Sequence, residues 1–218
     1  MKDTELIIDY PSRIADMLLK DEIDMGLVPV AIIPRMKEYH INGDVCIGSE
    51  GAVASVCIFS EVPLEEAETV LLDYQSRTSV ALARVLMREF WHVNPALKDG
   101  GKDYRDQIQG RVAGVVIGDR ALEQRHVSPY IYDLGEAWMA LTGLPFVFAA
   151  WVSNKEIDPG YIASFNAANR EGLAAIEAVV EENPYPVFDL HAYFTQYLDY
   201  ELDGAKKQGL EKFLQYLK

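Results

Sequence analysis

The chain has 218 residues, half of them hydrophobic, which is enough apolar surface to build a substantial buried core. It carries 34 acidic against 20 basic residues, a formal charge of −14. Such a surface repels phosphate backbones and anionic membranes, so we expect neither nucleic acid nor a membrane as a partner. An anionic small molecule would need local compensation from arginine, helix N-termini or backbone N–H groups.

The two cysteines indicate the compartment in which the chain is expected to work. Cys46 and Cys57 lie inside apolar runs, where a thiol behaves as a small hydrophobe, so we expect both to be buried and structural. We see no secretory signal, no apolar run approaching the ~20 residues of a membrane span, and no cysteine framework. The cytoplasm is therefore the expected location.

Short β-branched runs followed by turns and helical patterns recur along the chain, which is typical of an α/β protein. The first half predicts strands at residues 6–8, 25–28, 45–47, 53–59 and 69–72. A helix is expected to begin at Pro11 and to end near residues 21–24, and an apolar helix should cover residues 80–90.

The second half continues this pattern and then becomes helical. Strands are predicted at residues 114–117 and 146–152, and a short helix should open at Arg120. The last segment predicts one helical face along residues 162–180, a helix over 190–202 and a final helix over 210–217. The glycine-, lysine- and aspartate-rich residues 98–105 predict an exposed loop.

The order of these elements predicts two lobes. We expect the chain to leave the first lobe near Phe59 and to return near Pro145. Residues 1–60 and 146–218 would then form one lobe, and residues 61–145 an inserted second lobe. A two-lobed protein of this kind binds its ligand in the cleft.

Three polar turns could carry chemistry. The first follows the strand at 69–72. The hydroxyls of residues 76–79 could cap the next helix, and the N–H groups of that helix together with Arg77 could hold a carboxylate. A plain cap with a solvated arginine is the alternative. The second is the small-residue segment 48–55, which would admit a ligand close to the backbone, or be only a hairpin. The third is Ile117-Gly118-Asp119, where an acid at a strand end begins a helix and could carry chemistry; a plain helix cap is the alternative.

Other motifs argue against several chemistries. The four histidines are scattered and lack metal-ligand spacing, so no metal is expected. No glycine-rich nucleotide loop or nucleophile elbow occurs, so we expect no cofactor and no acyl-enzyme. Four aromatic residues could form a wall for a ring, although core packing is the favoured role: Trp138, Trp151, Phe146 and Phe148.

Taken together, several ordered segments resemble the chorismate dehydratase family. They are Pro-Ser-Arg-Ile-Ala-Asp at 11–16, Asp-Met-Gly-Leu-Val-Pro at 24–29, Ile-Gly-Ser-Glu-Gly at 47–51, Ser-Arg-Thr-Ser-Val-Ala-Leu at 76–82, Ile-Gly-Asp at 117–119, Asp-Leu-Gly-Glu-Ala-Trp at 133–138 and Thr-Gly-Leu-Pro-Phe-Val-Phe at 142–148. The resemblance implies a two-lobed α/β fold like that of type II periplasmic binding proteins. It also implies a lyase of the futalosine route to menaquinone. We expect the chain to act as a monomer or homodimer.

The polar turns supply candidate residues for this reaction. The expected catalytic residues are Ser49, Glu50 and Asp119. The expected substrate-binding residues are Gly51, Ser55, Ser76, Arg77, Thr78, Ser79 and Gly118. No histidine falls in these motifs, so the substrate's own side-chain carboxylate is a candidate base.

Two other functions stay open at this point. The related dihydroxynaphthoate synthase of the same pathway is expected to carry a threonine pair at 76–79 and a histidine near 118–119, and both differences favour the dehydratase. A solute-binding protein without catalysis would use the same lobes. Family members also usually begin earlier, with a strand and an asparagine-bearing loop, so we expect this chain to lack that segment.

Overall fold

The computed structural model describes residues 4–218, which form eight α-helices and nine strands, besides short 3-10 and π-helical turns. The helices are α1 Pro11–Leu19, α2 Arg77–Glu89, α3 Asp119–Gln124, α4 Leu134–Thr142, α5 Pro159–Leu173, α6 Ile176–Glu182, α7 Leu190–Ala192 and α8 Gly204–Tyr216. The strands are β1 Met25–Pro29, β2 His40–Ser49, β3 Val56–Ser60, β4 Thr69–Leu72, β5 Ala96–Asp99, β6 Val112–Ile117, β7 Tyr130–Asp133, β8 Phe146–Ser153 and β9 Asp199–Glu201.

The first sheet has the strand order β1-β8-β2-β9 and is antiparallel throughout. Strand β8 lies between β1 and β2, with Leu27 opposite Trp151 and Ile47 opposite Ala149. Its apolar sequence suits a strand that has neighbours on both edges. This sheet therefore joins the early part of the chain to segments more than a hundred residues later.

The second sheet has the order β5-β4-β6-β3-β7 and is mixed. Strand β4 runs parallel to β5 and β6, whereas β3 runs antiparallel to β6 and β7. All five residues of β3 are buried, as expected for an interior strand. Although β3 belongs to this second sheet, the exact lobe boundaries at residues 60, 61, 145 and 146 stay a prediction.

The main hydrophobic core contains residues from both sheets and from the helices between them. The Trp138 ring packs edge-on against Phe146 and Phe213, with centroids 5.2 and 6.0 Å apart. Trp138 and Phe146 are almost fully buried, so the favoured core role is confirmed for this pair. Trp151 packs on Phe165 of α5 instead. These edge-to-face contacts add to the stabilisation that comes from burial alone.

Both cysteines are buried and unpaired, which confirms their expected structural role. Burial raises the pKa of the Cys46 thiol to about 12. Burial also raises the pKa of Cys57, and the nearby Asp133 carboxylate raises it further. Both thiols are therefore neutral at physiological pH and poor nucleophiles.

The predicted strand at residues 6–8 is wrong. These residues are extended but join neither sheet, and Leu6 and Ile8 are 75% and 86% exposed. A β-branched run forms a strand only when another strand supplies its hydrogen bonds, and among residues 4–218 none pairs with this segment.

Two further predictions fail because tertiary contacts override local pattern. In place of the single helix predicted over 190–202, the chain forms a short α-helix that ends at Ala192 and one π-helical turn at Tyr193–Tyr197. The strand β9 follows and pairs with β2. The loop predicted at 98–105 begins as β5, parallel to β4. It then buries Tyr104 completely, so only part of it is an exposed connection.

We expect the close approach of α8 to the α4–β8 link to make Gly209 intolerant of a side chain. A Cβ at this position would overlap the backbone carbonyl oxygen of Pro145. Gly209→Ala should lower the free energy of unfolding by about 2 kcal/mol. Gly172→Ala is the matched control, because this glycine lies exposed in α5 and its Cβ would contact nothing within 4 Å.

The measurement is urea denaturation of both variants beside the parent chain. Gly172→Ala should stabilise by about 0.5–1 kcal/mol through helix propensity. Equal stability changes for the two substitutions would contradict the predicted contact.

Candidate functional site

A cavity of about 220 Å³ lies between the two sheets. Its walls come from β1, β2 and β8 of the first sheet, from β3 and β6 of the second, and from the start of α2. The lining residues are Pro11, Leu27, Pro29, Ile47, Val53, Ser55, Val56, Gln75, Ser76, Ser79, Ile117, Gly118, Phe148, Ala149, Tyr193 and Leu198. None of these side chains is a carboxylate, an amine, a guanidinium or an imidazole.

A wider depression of about 440 Å³ opens elsewhere on the surface, beside residues 65–68 and 91–95. It contains none of the polar turns that the sequence singled out. The smaller cavity contains members of all three, so it is the candidate site. Its volume lies below the range of ~300–1,000 Å³ typical for drug-sized ligands, which indicates a small metabolite.

The first turn presents the N-terminus of α2 to the cavity. Ser76 is the N-cap, and its Oγ accepts a hydrogen bond from the Ser79 N–H at 3.1 Å. The Ser76 hydroxyl also donates to Ser79 Oγ at 2.7 Å. The two hydroxyls and the positive end of the helix dipole therefore face the cavity together, an arrangement that favours an anionic group.

A buried ion pair holds this turn in place. The Asp73 carboxylate, 5% exposed, accepts hydrogen bonds from Arg120 Nη2 at 2.7 Å, from the Tyr104 hydroxyl at 2.9 Å and from the Gln75 N–H at 2.7 Å. Arg120 also donates to Gln75 Oε1 at 2.8 Å. Because Arg120 lies in α3 and Asp73 follows β4, the pair ties the two helix starts together.

Arg77 and Thr78 make contacts outside the cavity wall. Arg77 donates to Asp16 of α1 at 2.7 Å, and this bond lowers the pKa of the Asp16 carboxyl. Thr78 is buried, and its Oγ1 accepts from the Ala31 N–H at 3.2 Å. Their expected roles in substrate binding stay predictions.

The second turn places Ser55 in the cavity wall, whereas Ser49 does not line the cavity. The buried Ser49 hydroxyl donates to the Gly51 carbonyl at 3.0 Å, while Glu50 at the tip is exposed. The chain then turns sharply, because the Ser55 N–H donates to the Val53 carbonyl at 2.7 Å.

This sharp turn depends on Asp133, a residue to which the sequence assigned no role. Its carboxylate accepts from the N–H groups of Val53 and Ala54 at 3.1 and 2.7 Å, and from Gly135 and Glu136 at the start of α4 at 2.9 and 3.1 Å. Ala54 has a φ of +61°, a conformation rare for non-glycine residues. An aspartate before an apolar helix is an N-cap signal, so its bonds to the start of α4 follow from the sequence. Its bonds to the N–H groups of Val53 and Ala54 do not, because those residues lie far away in the chain.

The third turn divides its two residues between cavity and solvent. Gly118 lines the cavity with a φ of +63°, and its N–H donates to the Ser55 carbonyl at 2.8 Å. Asp119 begins α3 as an exposed residue and does not line the cavity. The catalytic assignments of Ser49, Glu50 and Asp119 stay predictions.

Tyr193 completes the site, and sequence reasoning missed it. Its hydroxyl lies 2.8 Å from Ser55 Oγ, and burial raises the pKa of the phenol. It is the only cavity-lining residue with an ordinarily titratable side chain. No local pattern marks Tyr193 among the chain's 12 tyrosines.

Among residues 4–218, no three His, Cys, Asp or Glu side chains converge as a possible metal site. Within that same range, no helix combines the length and apolarity needed to cross a bilayer.

The two sheets with their helices, and the small uncharged cavity between the sheets, define the fold. The fold is that of periplasmic solute-binding proteins. The alkanesulfonate-binding protein SsuA of Xanthomonas axonopodis pv. citri superimposes with a TM-score of 0.55, covering 94% of this chain and 77% of that protein at 11% identity.

The family is narrower than the fold. The family model described as menaquinone biosynthesis matches residues 1–218, and the chain belongs to that family. A chorismate dehydratase of Thermus thermophilus is 27% identical, aligned over 95% of this chain and 84% of that protein. A chorismate dehydratase of Campylobacter jejuni is 24% identical, over 95% and 81%.

Because Asp133 connects two separate segments, its loss should destabilise the whole fold. Asp133→Ala removes the carboxylate that accepts from four backbone N–H groups and should lower the free energy of unfolding by about 3 kcal/mol. Asp158→Ala is the matched control, since Asp158 caps α5 through one hydrogen bond to the Tyr161 N–H. Asp158→Ala should lower the free energy of unfolding by about 1 kcal/mol.

Urea denaturation of the two variants provides the comparison. Equal losses would mean that Asp133 is an ordinary cap and that its bonds to Val53 and Ala54 contribute nothing.

Proposed function

We propose that this chain is a chorismate dehydratase, which converts chorismate to 3-[(1-carboxyvinyl)oxy]benzoate with loss of water. One feature of the structure is the main support for this proposal. The α2 N-terminus with its two serine hydroxyls and the Ser55–Tyr193 pair share one small cavity with apolar walls. The similarity to chorismate dehydratases along 95% of the chain supports the same function.

The reaction places particular demands on such a cavity. Chorismate brings two carboxylates, loses a ring proton and a hydroxyl, and becomes aromatic, so the product's aromaticity supplies the driving force. The protein has to hold the carboxylates and orient the leaving hydroxyl. N–H groups at the start of α2 and the hydroxyls of Ser76 and Ser79 can hold an anionic group without a formal positive charge.

The cavity wall does not contain an evident general base for removal of the ring proton. The cavity wall contains no carboxylate or imidazole, and Glu50 and Asp119 are exposed on turns outside it. We therefore favour the substrate's own side-chain carboxylate as the acceptor of the ring proton. An ionised carboxylate is stripped of water in an apolar cavity, and this makes it a stronger base than it is in solution.

The first experiment incubates the purified chain with chorismate and follows the mixture by liquid chromatography and mass spectrometry. We expect a product lighter than chorismate by one water that is absent from a heat-inactivated control. Binding without that product would favour the alternative of a solute-binding protein, to which the fold is also suited. If the chain neither binds chorismate nor forms the product, the proposal is contradicted. The dihydroxynaphthoate synthase reaction would then be tested.

The two exposed acids provide a second prediction. Glu50→Gln and Asp119→Asn should each keep kcat within about twofold of the parent chain, because exposed groups outside the cavity contribute little to the reaction. Ser76→Ala is the contrasting variant, since it removes a cavity hydroxyl and the α2 cap. It should raise KM by about tenfold, the loss of one hydrogen bond to a charged group.

Steady-state kinetics of the three variants test this arrangement. Abolished turnover in Glu50→Gln or Asp119→Asn, with chorismate binding unchanged, would make that acid the base and would refute the role given to the substrate carboxylate.

A further inference from the structure

The contact between Tyr193 and Ser55 joins two parts of the chain that are 138 residues apart. Both side chains line the cavity, and their oxygens lie 2.8 Å apart. A hydroxyl pair of this kind can share only one hydrogen between its two oxygens, which leaves the second hydrogen for another partner. The second hydrogen is therefore available to a ligand in the cavity.

The backbone around Ser55 is already constrained on both sides. Its N–H donates to the Val53 carbonyl at 2.7 Å, and its carbonyl accepts from the Gly118 N–H at 2.8 Å. Asp133 holds the preceding turn through Val53 and Ala54. With the backbone fixed, the direction of the Ser55 O–H bond depends on what contacts its oxygen, and Tyr193 is the contact that the structure provides.

The segment that carries Tyr193 is held just as firmly. Asp189 caps the preceding short helix through the Ala192 N–H at 3.0 Å. The π-helical turn then closes with the Leu198 N–H on the Tyr193 carbonyl at 3.1 Å, and β9 pairs with β2 directly afterwards. Single π turns occur often at functional sites.

The phenol is a neutral donor rather than a charged group. Burial raises the pKa of Tyr193, and the field of Asp119 raises it further, whereas the hydrogen bond with Ser55 opposes both effects. The hydroxyl consequently keeps its proton throughout the pH range in which an enzyme would work. A protonated phenol beside a serine is suited to donate to the serine oxygen.

We propose that Tyr193 is a positioning residue that donates its hydrogen to Ser55 Oγ and thereby turns the Ser55 O–H toward a substrate oxygen. The inference rests on the proposed function and assigns it a residue outside the sequence motifs. In the dehydration, Ser55 donates to the departing hydroxyl as the C–O bond breaks. A donor that accepts a hydrogen bond itself is a stronger donor, so the two bonds reinforce each other.

Ser55 and Tyr193 carry the same protons before and after the reaction. The ring C–H bond breaks, its electron pair forms the aromatic ring, and the proton goes to the substrate carboxylate. The C–O bond breaks at the other carbon, and the hydroxyl leaves as water with the proton that the carboxylate gives up. Ser55 and Tyr193 supply hydrogen bonds to the leaving oxygen and transfer no net proton.

The test is a double-mutant cycle on chorismate turnover with Tyr193→Phe, Ser55→Ala and the double variant. Tyr193→Phe keeps the ring and its edge contact with Phe188, so the melting temperature should fall by no more than about 2–4 °C, the effect of one lost hydrogen bond. Its kcat should fall about tenfold with little change in KM, the effect of one lost hydrogen bond. The double variant should be no slower than Ser55→Ala alone, since Tyr193 acts only through Ser55.

Two further variants separate positioning from packing. Tyr197→Phe is the matched control, because Tyr197 lies in the same π turn, packs on Phe188 and does not line the cavity. Its kcat should match the parent chain. Ser55→Thr keeps a hydroxyl, so Tyr193→Phe in that background should again slow the reaction about tenfold.

The outcomes distinguish the two levels of inference. A parent chain that does not dehydrate chorismate, whether or not it binds it, overturns the proposed function, and the role of Tyr193 in that reaction with it. An active parent chain in which the effects of Tyr193→Phe and Ser55→Ala multiply overturns the positioning role alone. The same holds if Tyr193→Phe is as active as Tyr197→Phe.

Discussion

The Asp133 carboxylate is the interaction on which the site depends. It follows β7 and accepts N–H groups from two directions, from the start of α4 and from the turn that precedes β3. A carboxylate that satisfies four backbone donors compensates the cost of its own burial and of theirs. It also holds Ala54 in a left-handed conformation, and this turn sets where Ser55 stands.

A second constraint is electrostatic. The chain carries a formal charge of −14, yet no formally charged side chain lines the cavity. Two arginines near the first polar turn are each paired with an aspartate, Arg120 with Asp73 and Arg77 with Asp16. What faces the ligand is a set of neutral donors at the N-terminus of α2 and at Ser55, so an anionic ligand meets oriented dipoles instead of a counter-ion.

The two constraints fit a reaction in which the substrate brings its own charge. Fixed hydroxyls and N–H groups need no reorganisation when a hydroxyl departs, and an apolar surrounding strengthens each hydrogen bond to it. The same features would also suit plain solute capture, which is why a fold shared with binding proteins does not decide between the two functions. Chemistry on chorismate is what separates them.

The sequence by itself determined the α/β class, most helices, the interior strands, the buried thiols and three polar turns, because these follow from local periodicity, caps and small-residue clusters. It also contained the family resemblance. Only the tertiary structure decided which members of each turn reach the cavity: Ser76 and Ser79 rather than Arg77, Ser55 rather than Ser49, and Gly118 rather than Asp119. It alone brought Tyr193 to Ser55, made residues 199–201 a strand through pairing with β2, and left residues 6–8 without a partner. Each of these depends on contacts between segments far apart in the chain, and no local pattern encodes such contacts.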